Sequence, residues 1–400
     1  MLTIEKVYDA QKALKGVTRV TDVIYSPSLS KSCGCELYLK SENLQLTGSF
    51  KIRGAYYKIS RLSESEKSVG VIACSAGNHA QGVALASKKF GLKAKICMPK
   101  SAPISKIEAT KSYGAEVILV DGVYDDAHDE AERLKTKHGY TFIHPFDDED
   151  VIAGQGTVGL EIFDQLDKVD AVVIPIGGGG LASGAAFALK TLKPEIKIYG
   201  VQSEGAPSMA NSVRDRHIEI LGSVSTVADG IAVKEPGSLT FELCSSYIDE
   251  IVTVTDEQVS AAILALIEKQ KMIAEGAGAV SLAAVMFGKI PDIAGKNVCC
   301  VISGGNIDVN ILSRIINRGL LISGRRCTIT MELQDKPGQL VEVLAAVAEY
   351  GGNITEVLHE RLHHKADING CHLRIQLETR NFEHIKQIKA ALKKRGFRLI

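Results

Sequence analysis

Four short segments of the sequence combine reactive or hydrogen-bonding side chains with small residues, and sites for small ligands have this composition. They are residues 47–54, 74–79, 176–180 and 303–306. In the first, Lys51 lies among small and apolar neighbours, and such surroundings lower the pKa of an amine, as a lysine that forms a Schiff base requires. A surface lysine at the start of a helix would account for the same residues.

The clearest of these signals is the run Gly177, Gly178, Gly179 and Gly180, which follows an apolar stretch. Four glycines let backbone N–H groups close on a phosphate, whereas a simple turn needs only one or two. The spacing is not that of a P-loop, and no Lys-Ser/Thr pair follows it. The run therefore indicates a phosphate site of another kind.

The other two segments each follow a strand pattern. Residues 74–79 turn from a strand into a helix, whose free N–H groups favour an anion. Ser75 and Asn78 are also good capping residues, so capping alone would explain them. His79 is either an acid or base or a hydrogen-bonded structural histidine, and Ser303 either offers its hydroxyl to a neutral ring nitrogen or shapes the turn.

Alternating strands and helices must position these segments. From about residue 69, short apolar runs alternate with helical stretches, several of which end in glycine. Strands that are apolar on both faces and joined by helices predict an α/β protein with parallel sheets, and their number predicts two lobes. Ligands of such sheets bind beyond the carboxyl ends of the strands, where three of the four segments lie.

The C-terminal part of the chain follows a different pattern. After Arg325 and Arg326 the order is strand, helix, strand, strand, helix, strand. This βαββαβ order is ferredoxin-like. We therefore predict a domain boundary near residues 321–326.

The composition is that of a globular protein with more than one domain. The 400 residues include 47 Lys and Arg and 47 Asp and Glu, and this zero net charge argues against a nucleic-acid binder. The N-terminus carries no apolar signal segment, and Pro175 and the glycines interrupt the uncharged stretch 171–189, so no association with a membrane is expected.

The cysteines indicate a reducing environment. Nine are scattered along the chain, an odd number, which favours a cytoplasmic protein over a disulfide scaffold. Cys33 and Cys35 lack the second pair that a zinc site would need.

One motif invites a different interpretation. Residues 154–159 match the dinucleotide fingerprint G-x-G-x-x-G, but acidic residues rather than an adjoining strand precede them. The structural context of a nicotinamide site is therefore missing.

Together, the motifs SFKIRGA, CSAGNHAQG, IAGQGT, PIGGGGL, the Ala228-Asp229-Gly230 segment and SGGN resemble the threonine/serine dehydratases, which are fold-type II enzymes that use pyridoxal phosphate. The resemblance covers about residues 1–320, with a smaller lobe at about 47–147, and the tail, 326–400, resembles an ACT regulatory domain. It implies a cytoplasmic homo-oligomer, namely a homotetramer, that converts L-threonine to 2-oxobutanoate and ammonia. L-serine would give pyruvate in a secondary reaction.

The resemblance also implies roles for single residues. Lys51 would bind the cofactor aldehyde as a Schiff base, Phe50 would pack against the ring, Asn78 would contact its phenolic oxygen and Ser303 its pyridine nitrogen. The cofactor phosphate would lie on Gly177, Gly178, Gly179, Gly180 and Leu181. The substrate carboxylate would lie on Ser75, Ala76, Gly77, Asn78 and His79.

Two departures from related enzymes refine this expectation. Serine racemases of the family carry a second serine where this chain has Ala76, and a methyl group cannot donate a proton, so we expect negligible racemisation. The acids that bind a divalent cation in those racemases are poorly matched around residues 202–208, so we expect no divalent metal there. A monovalent cation is left open.

Allosteric effectors are expected at one of two places. A nucleotide (AMP or CMP) would bind at positions matched to the catabolic enzymes, namely Leu46, Thr47, Gln81 and Tyr113. Isoleucine or valine would bind the ACT domain at Asp335, Gly338, Gln339 and Leu340, opposite the turn at Asn353. The nearby His359, His363, His364 and His372 are expected to be solvated rather than bound to metal.

Three other functions stay open on the sequence alone. A cysteine synthase-type enzyme would replace the β-substituent instead of eliminating it, and a silent amino-acid sensor would bind without turnover. The nicotinamide oxidoreductase would use the glycines at 154–159.

Overall fold

The computed structural model describes residues 2–361 and 370–400, and the chain forms two compact units, residues 1–308 and 309–400. The domain boundary predicted near residues 321–326 stays a prediction. No described helix is long and apolar enough to cross a membrane.

The first unit alternates between helices and strands over most of its length. In chain order its elements are α1 (Ile4–Leu14), β1 (Val23–Tyr25), α2 (Pro27–Cys33), β2 (Glu36–Lys40), α3 (Lys51–Ser60), α4 (Glu64–Val69), β3 (Val71–Cys74), α5 (Asn78–Phe90), β4 (Ala94–Pro99), α6 (Ile104–Ser112), β5 (Glu116–Val120), α7 (Tyr124–His138), β6 (Thr141–Phe142), α8 (Glu149–Gln165), β7 (Ala171–Pro175), α9 (Gly180–Leu192), β8 (Lys197–Ser203), α10 (Ser208–Asp215), α11 (Ser238–Tyr247), β9 (Glu250–Val254), α12 (Asp256–Ala265), α13 (Gly276–Met286) and β10 (Asn297–Val301). Single short turns of helix cover Glu42–Leu44, Asp229–Ile231 and Leu266–Gln270.

These strands form two sheets, as the sequence predicts. The larger has the order β1-β2-β10-β7-β8-β9 and is parallel except for β1, and the smaller, β5-β4-β3-β6, is wholly parallel. Every residue of β3 and β7 is buried, because helices cover both faces of these strands. The prediction of a two-lobed α/β domain is confirmed.

Each lobe has its own apolar core. In the larger lobe, Val172 and Ile174 of β7 pack with Val158 and Ile162 of α8. In the smaller lobe, the buried side chains of α3, α5 and the central strands form one cluster, which includes Ile52, Val83, Val71 and Ile96. Helix α3 begins at Lys51, and the burial of the next residue, Ile52, in this core fixes the start of the helix.

The glycines at 154–159 lie inside helix α8, whose N-terminus is capped by the Asp148 carboxylate. A Cβ at Gly154 would lie 2.6 Å from the Gly54 Cα, and one at Gly159 would lie 2.6 Å from the Ala185 carbonyl oxygen. These glycines therefore let α8 pack closely against α3 and α9, and they form no loop that could hold a dinucleotide.

The second unit contains the predicted ferredoxin-like order. Its elements are α14 (Val309–Ile322), β11 (Arg326–Gln334), α15 (Gln339–Glu349), β12 (Asn353–Glu360), β13 (Gly370–Glu378), α16 (Phe382–Lys394) and β14 (Arg398–Leu399). The strands form an antiparallel sheet in the order β12-β13-β11-β14. Alternate residues of β13 face a core that includes Met331, Val343 and Ile388.

Candidate active site

Lys51 is the first residue of helix α3, and its amine is held inside the protein. The Nζ atom donates a hydrogen bond of 2.8 Å to the Pro145 carbonyl oxygen and lies 5.4 Å from the centre of the Phe50 ring. Burial lowers the pKa of Lys51 to about 8, although the Glu275 carboxylate acts in the opposite direction. Roughly a tenth of this amine is therefore uncharged at pH 7, far more than for an ordinary lysine, and both a nucleophile and a base require the uncharged form.

The backbone before Lys51 is joined to the segment that follows strand β10. The Phe50 amide donates a hydrogen bond of 3.2 Å to the Ser303 carbonyl oxygen, and Ser49 pairs with Gly304 as an isolated β-bridge. Ser303 is buried, and its hydroxyl donates to the Ala277 carbonyl oxygen at 3.3 Å. The structure therefore brings together two segments that are about 250 positions apart in the chain.

A series of side-chain hydrogen bonds connects the segment after β10 with the start of helix α5. The Asn306 amide donates to the Thr47 carbonyl oxygen at 2.6 Å and to Asn78 Oδ1 at 2.7 Å. The amide of Asn78 in turn donates to Glu275 Oε1 at 2.6 Å. Burial raises the pKa of Glu275 to about 7, and the Asp229 carboxylate acts in the same direction. Glu275 can therefore change its protonation state near neutral pH.

The segment 75–79 forms the start of helix α5, as predicted. Gly77, which has no side chain, occupies the capping position before the helix, and the Ser75 hydroxyl accepts a hydrogen bond of 3.1 Å from the Gly77 amide. The His79 ring points elsewhere, with Nε2 2.8 Å from the Ile143 carbonyl oxygen, so this nitrogen must carry the proton and donate. Burial lowers the pKa of His79 to about 3, which makes it a neutral structural histidine.

The four glycines form the turn between β7 and α9, and this turn lies against Phe146. A Cβ on Gly178 would come within 2.4 Å of the Phe146 ring, and one on Gly180 within 2.9 Å of the Phe146 Cα. Gly179 has φ +102° and precedes α9 without a side-chain capping bond. Because Phe146 follows Pro145, the partner of Lys51, the glycine turn lies next to the lysine site.

Two contributors to the site, Glu275 and the Pro145 carbonyl, were not identified from the sequence, and Asn306, which belongs to the predicted segment 303–306, was given no role. Glu275, the Pro145 carbonyl and the amide of Asn306 emerge only from contacts between distant segments. One signal was available for Glu275, since it is the only charged residue in the apolar stretch 272–288. A single charge in such a run is costly to bury unless it is partnered or functional.

The positions predicted for a nucleotide effector divide into two environments. Thr47 and Gln81 are buried and both contact the Asn306 amide, at 2.6 and 3.5 Å. Tyr113 follows helix α6 and packs on the core of the smaller lobe, and Leu46 donates its amide to the Gln45 side chain at 3.0 Å. The nucleotide site stays a prediction.

The predicted ACT effector positions do not lie at one end of the second unit. Asp335, Gly338, Gln339 and Leu340 follow the end of β11, whereas Asn353 pairs with Glu378, which lies opposite Arg326 at the start of β11. The expectation that the turn at Asn353 lies opposite the other positions is therefore wrong, because β12 begins at the far end of the sheet. Asp335 pairs with Arg361 at 3.2 Å, and Gly338, with φ +92°, precedes helix α15, which Gln339 begins. Leu340 packs on the core. The Asn353 amide donates to Glu378 at 2.8 Å. Of the four histidines named above, His363 and His364 lie outside the described residues.

Comparison with known proteins identifies the family. The model of the family described as "Pyridoxal-phosphate dependent enzyme" matches residues 14–304, which is most of the chain. The chain belongs to the pyridoxal-phosphate-dependent enzyme family. An L-threonine ammonia-lyase of Thermotoga maritima is 51% identical over 397 residues, which are 99% of this chain and 98% of that enzyme.

Solved structures agree with this assignment. The processed form of threonine deaminase isoform 2 from Solanum lycopersicum superposes with a TM-score of 0.76 and 40% identity, over 78% of this chain and 92% of that one. Maize serine racemase also gives 0.76, with 34% identity over 80% and 98%. The predicted fold-type II architecture and the cofactor, pyridoxal phosphate, are confirmed.

The residues of the site fit this cofactor. Lys51 provides a buried amine of lowered pKa for the aldehyde, and the start of α9 provides N–H groups that no side chain caps for the phosphate. Asn78 and Ser303 lie beside Lys51 through the contacts described above. Their individual contacts to the cofactor stay predictions.

Proposed function

We propose that the protein is an L-threonine ammonia-lyase, which converts L-threonine to 2-oxobutanoate and ammonia and L-serine to pyruvate. The observation that carries the proposal is the 51% identity, over nearly the full length of both chains, to the Thermotoga maritima enzyme of that name. The uncharged fraction of the Lys51 amine, held at the centre of the site, supplies the base that the reaction needs.

The protein's residues divide the work of this reaction. When bound, pyridoxal phosphate delocalises the electron pair left at the α-carbon after its proton is removed. Lys51 takes that proton, since it is the amine of lowered pKa inside the site. The N–H groups at the start of α5 orient the substrate carboxylate. Asn306 and Glu275 hold the Asn78 amide in one orientation from its two ends.

The preference between the two substrates rests on one methyl group. Burial of a methylene-sized group is worth about 0.8 kcal/mol, so an apolar pocket separates threonine from serine only modestly. Both substrates should therefore react, and threonine should be favoured.

Release of 2-oxobutanoate from threonine by the purified holoenzyme tests the proposal. Borohydride reduction followed by peptide mapping should place the cofactor on Lys51. Lys51→Ala should abolish turnover, and Lys58→Ala, in the same helix, should retain it because Lys58 pairs with Asp148 and Asp150 outside the site. Labelling of another lysine would contradict the assignment.

The rival functions give different products in the same assay. A β-replacement enzyme would form a replacement product when a thiol or sulfide is added, in place of 2-oxobutanoate. An amino-acid sensor would show the cofactor absorbance without release of an oxo acid. Either result would overturn the proposal.

We also propose that the second unit binds an allosteric effector, that the active form is a homotetramer, and that the enzyme works in the cytoplasm. The nine cysteines are free thiols, as a reducing compartment maintains them. The ferredoxin-like order of the second unit and its turn at Asp335 and Gly338 support a small-molecule site. Isoleucine and valine suit a biosynthetic enzyme, whereas AMP and CMP suit a catabolic one.

Titration of threonine turnover with isoleucine, valine, AMP and CMP identifies the effector. If an amino acid binds at the turn, Leu340→Ala in the full chain should weaken its effect at least tenfold and leave basal turnover unchanged. Val341→Ala, at an exposed position one residue away, is the matched control. An undiminished response in Leu340→Ala would exclude this turn.

A further inference from the structure

One end of the second unit gathers three side chains of the kinds that bind transition metals. They are Asp335, in the turn after β11, His359 of edge strand β12 and Cys371 of β13. Their ligand atoms all lie within 4.8 Å of one another. His359 and Asp335 are exposed, whereas Cys371 is buried. An ion from solvent could therefore reach the first two side chains and then bind the buried thiol.

The positions of these atoms suit one tetrahedral ion. His359 Nε2 lies 2.9 Å from Cys371 Sγ. Atoms bound to one zinc ion at about 2.0–2.3 Å are about 3.5 Å apart, so shifts of about an ångström would complete the geometry. The sheet supports this placement, because His359 lies opposite Leu373, two residues from Cys371 and on the same face.

We propose that Asp335, His359 and Cys371 bind a zinc ion, with a fourth position open to water or another small ligand. The expectation that the histidines of this region are solvated would then be wrong for His359. It is also wrong for the neighbouring His372, which is buried on the opposite face of β13 and lies 3.7 Å from Glu332.

Charge balance favours binding at this place. Cys371 releases its thiol proton to solvent when the sulfur binds, so one thiolate and one carboxylate neutralise the divalent ion while the imidazole binds neutral. Arg361 contacts one oxygen of Asp335 at 3.2 Å, and a carboxylate has a second oxygen with which it can bind the ion. The guanidinium then orients the ligand as outer partners of metal sites do.

The site differs from the active site in both position and chemistry. Binding is therefore measured directly on the untagged full-length holoenzyme, and its outcome does not depend on threonine turnover. After chelator treatment and buffer exchange, the protein is titrated with Zn²⁺ in a calorimeter and with Co²⁺ in a spectrophotometer. We expect one ion per chain and a cobalt spectrum typical of thiolate coordination, with tighter binding at pH 8 than at pH 6.

Two variants and a control decide the assignment. Cys371→Ser and His359→Gln should each weaken binding at least tenfold, and Cys371→Ser should also abolish the thiolate band. Because His359 is exposed, its replacement keeps the test valid if the buried Cys371→Ser fails to fold. Cys327→Ser, a half-buried cysteine of β11 in the same sheet, should bind as the wild type does. Absence of stoichiometric binding, or binding unchanged in His359→Gln, would overturn the proposal.

Discussion

At Lys51, two influences act on the amine in opposite directions. Burial lowers its pKa to about 8, and the Glu275 carboxylate raises it. The base form of Lys51 is populated above this value, so turnover should increase as the pH rises through about 8. The position of this limb reports on the electrostatics of the site.

Glu275→Gln tests this balance. Removal of the carboxylate takes away the group that raises the pKa of Lys51, so the acidic limb of the kcat profile should move to lower pH by up to about one unit. Glu116→Gln, at an exposed ion pair on β5, should leave the profile unchanged. An unshifted limb in Glu275→Gln would show that the carboxylate does not act on Lys51.

We predict that Ala76 keeps the racemisation of serine slow. A methyl group donates no proton, so racemisation of serine should be at least about 100-fold slower than elimination. Ala76→Ser should raise the racemisation rate, whereas Ala102→Ser, in the loop after β4, should not. Chiral chromatography of unreacted serine measures both. Rapid interconversion by the wild-type enzyme would refute the role of this position.

At the scale of the elements, the glycine turn before helix α9 packs so closely against Phe146 that it leaves no room for a side chain. Gly178→Ala would place a methyl group 2.4 Å from the ring, so Phe146 or the turn must move. We expect a loss of about 1–3 kcal/mol in the free energy of unfolding and at least tenfold weaker retention of the cofactor.

A second glycine provides the control for this element. Gly222 lies in an exposed loop, and nothing lies within 4 Å of a Cβ added there. Gly222→Ala should therefore keep wild-type stability and cofactor binding. Thermal unfolding and cofactor absorbance after dialysis measure both variants, and equal behaviour of the two would contradict a role for the turn.

At the scale of the whole molecule, a buried ion network joins elements of the first unit around Lys51. Arg53, two residues after Lys51, contacts Glu42 at 2.7 Å and Glu161 of α8 at 2.6 Å. Lys40 of β2 also contacts Glu161, at 2.5 Å. The network fixes α3, and with it the lysine, relative to both α8 and the larger sheet.

Arg53→Met should leave two buried carboxylates short of a partner. We expect a loss of about 3–5 kcal/mol in the free energy of unfolding. Arg61→Met removes an exposed pair with Asp9 and should cost at most about 1 kcal/mol. Urea unfolding of both variants provides the comparison. A loss in Arg53→Met no larger than in Arg61→Met would show that the network does not stabilise the unit.

The same network predicts a pH dependence of stability. Although burial opposes it, Arg53 lowers the pKa of Glu42 below its usual value. The stabilisation from this carboxylate is therefore present above the ordinary pKa and is lost as the pH falls through the lowered one. Urea unfolding should show a steeper loss of stability below about pH 4.5 in the wild type than in Glu42→Gln.

Local sequence determined the elements and many of the site residues. The alternation of apolar runs and helices predicted both sheets, and the βαββαβ order predicted the second unit. The sequence could identify Lys51, Asn78 and the glycine turn because each lies at the start of a helix. The start of a helix is recognisable from a few consecutive residues. Hydrophobic periodicity and glycine content are local properties, and they survive in the sequence alone.

The tertiary structure alone decided which groups meet. Glu275 reaches Asn78 across 197 positions, and Asn306 reaches it across 228. His79 faces the Ile143 carbonyl instead of the site, and the glycines of α8 serve helix packing. No local pattern encodes such contacts, because they depend on how distant elements pack. The pKa of a buried group depends on that packing as well, so the chemistry of Lys51 and Glu275 became visible only in the folded chain.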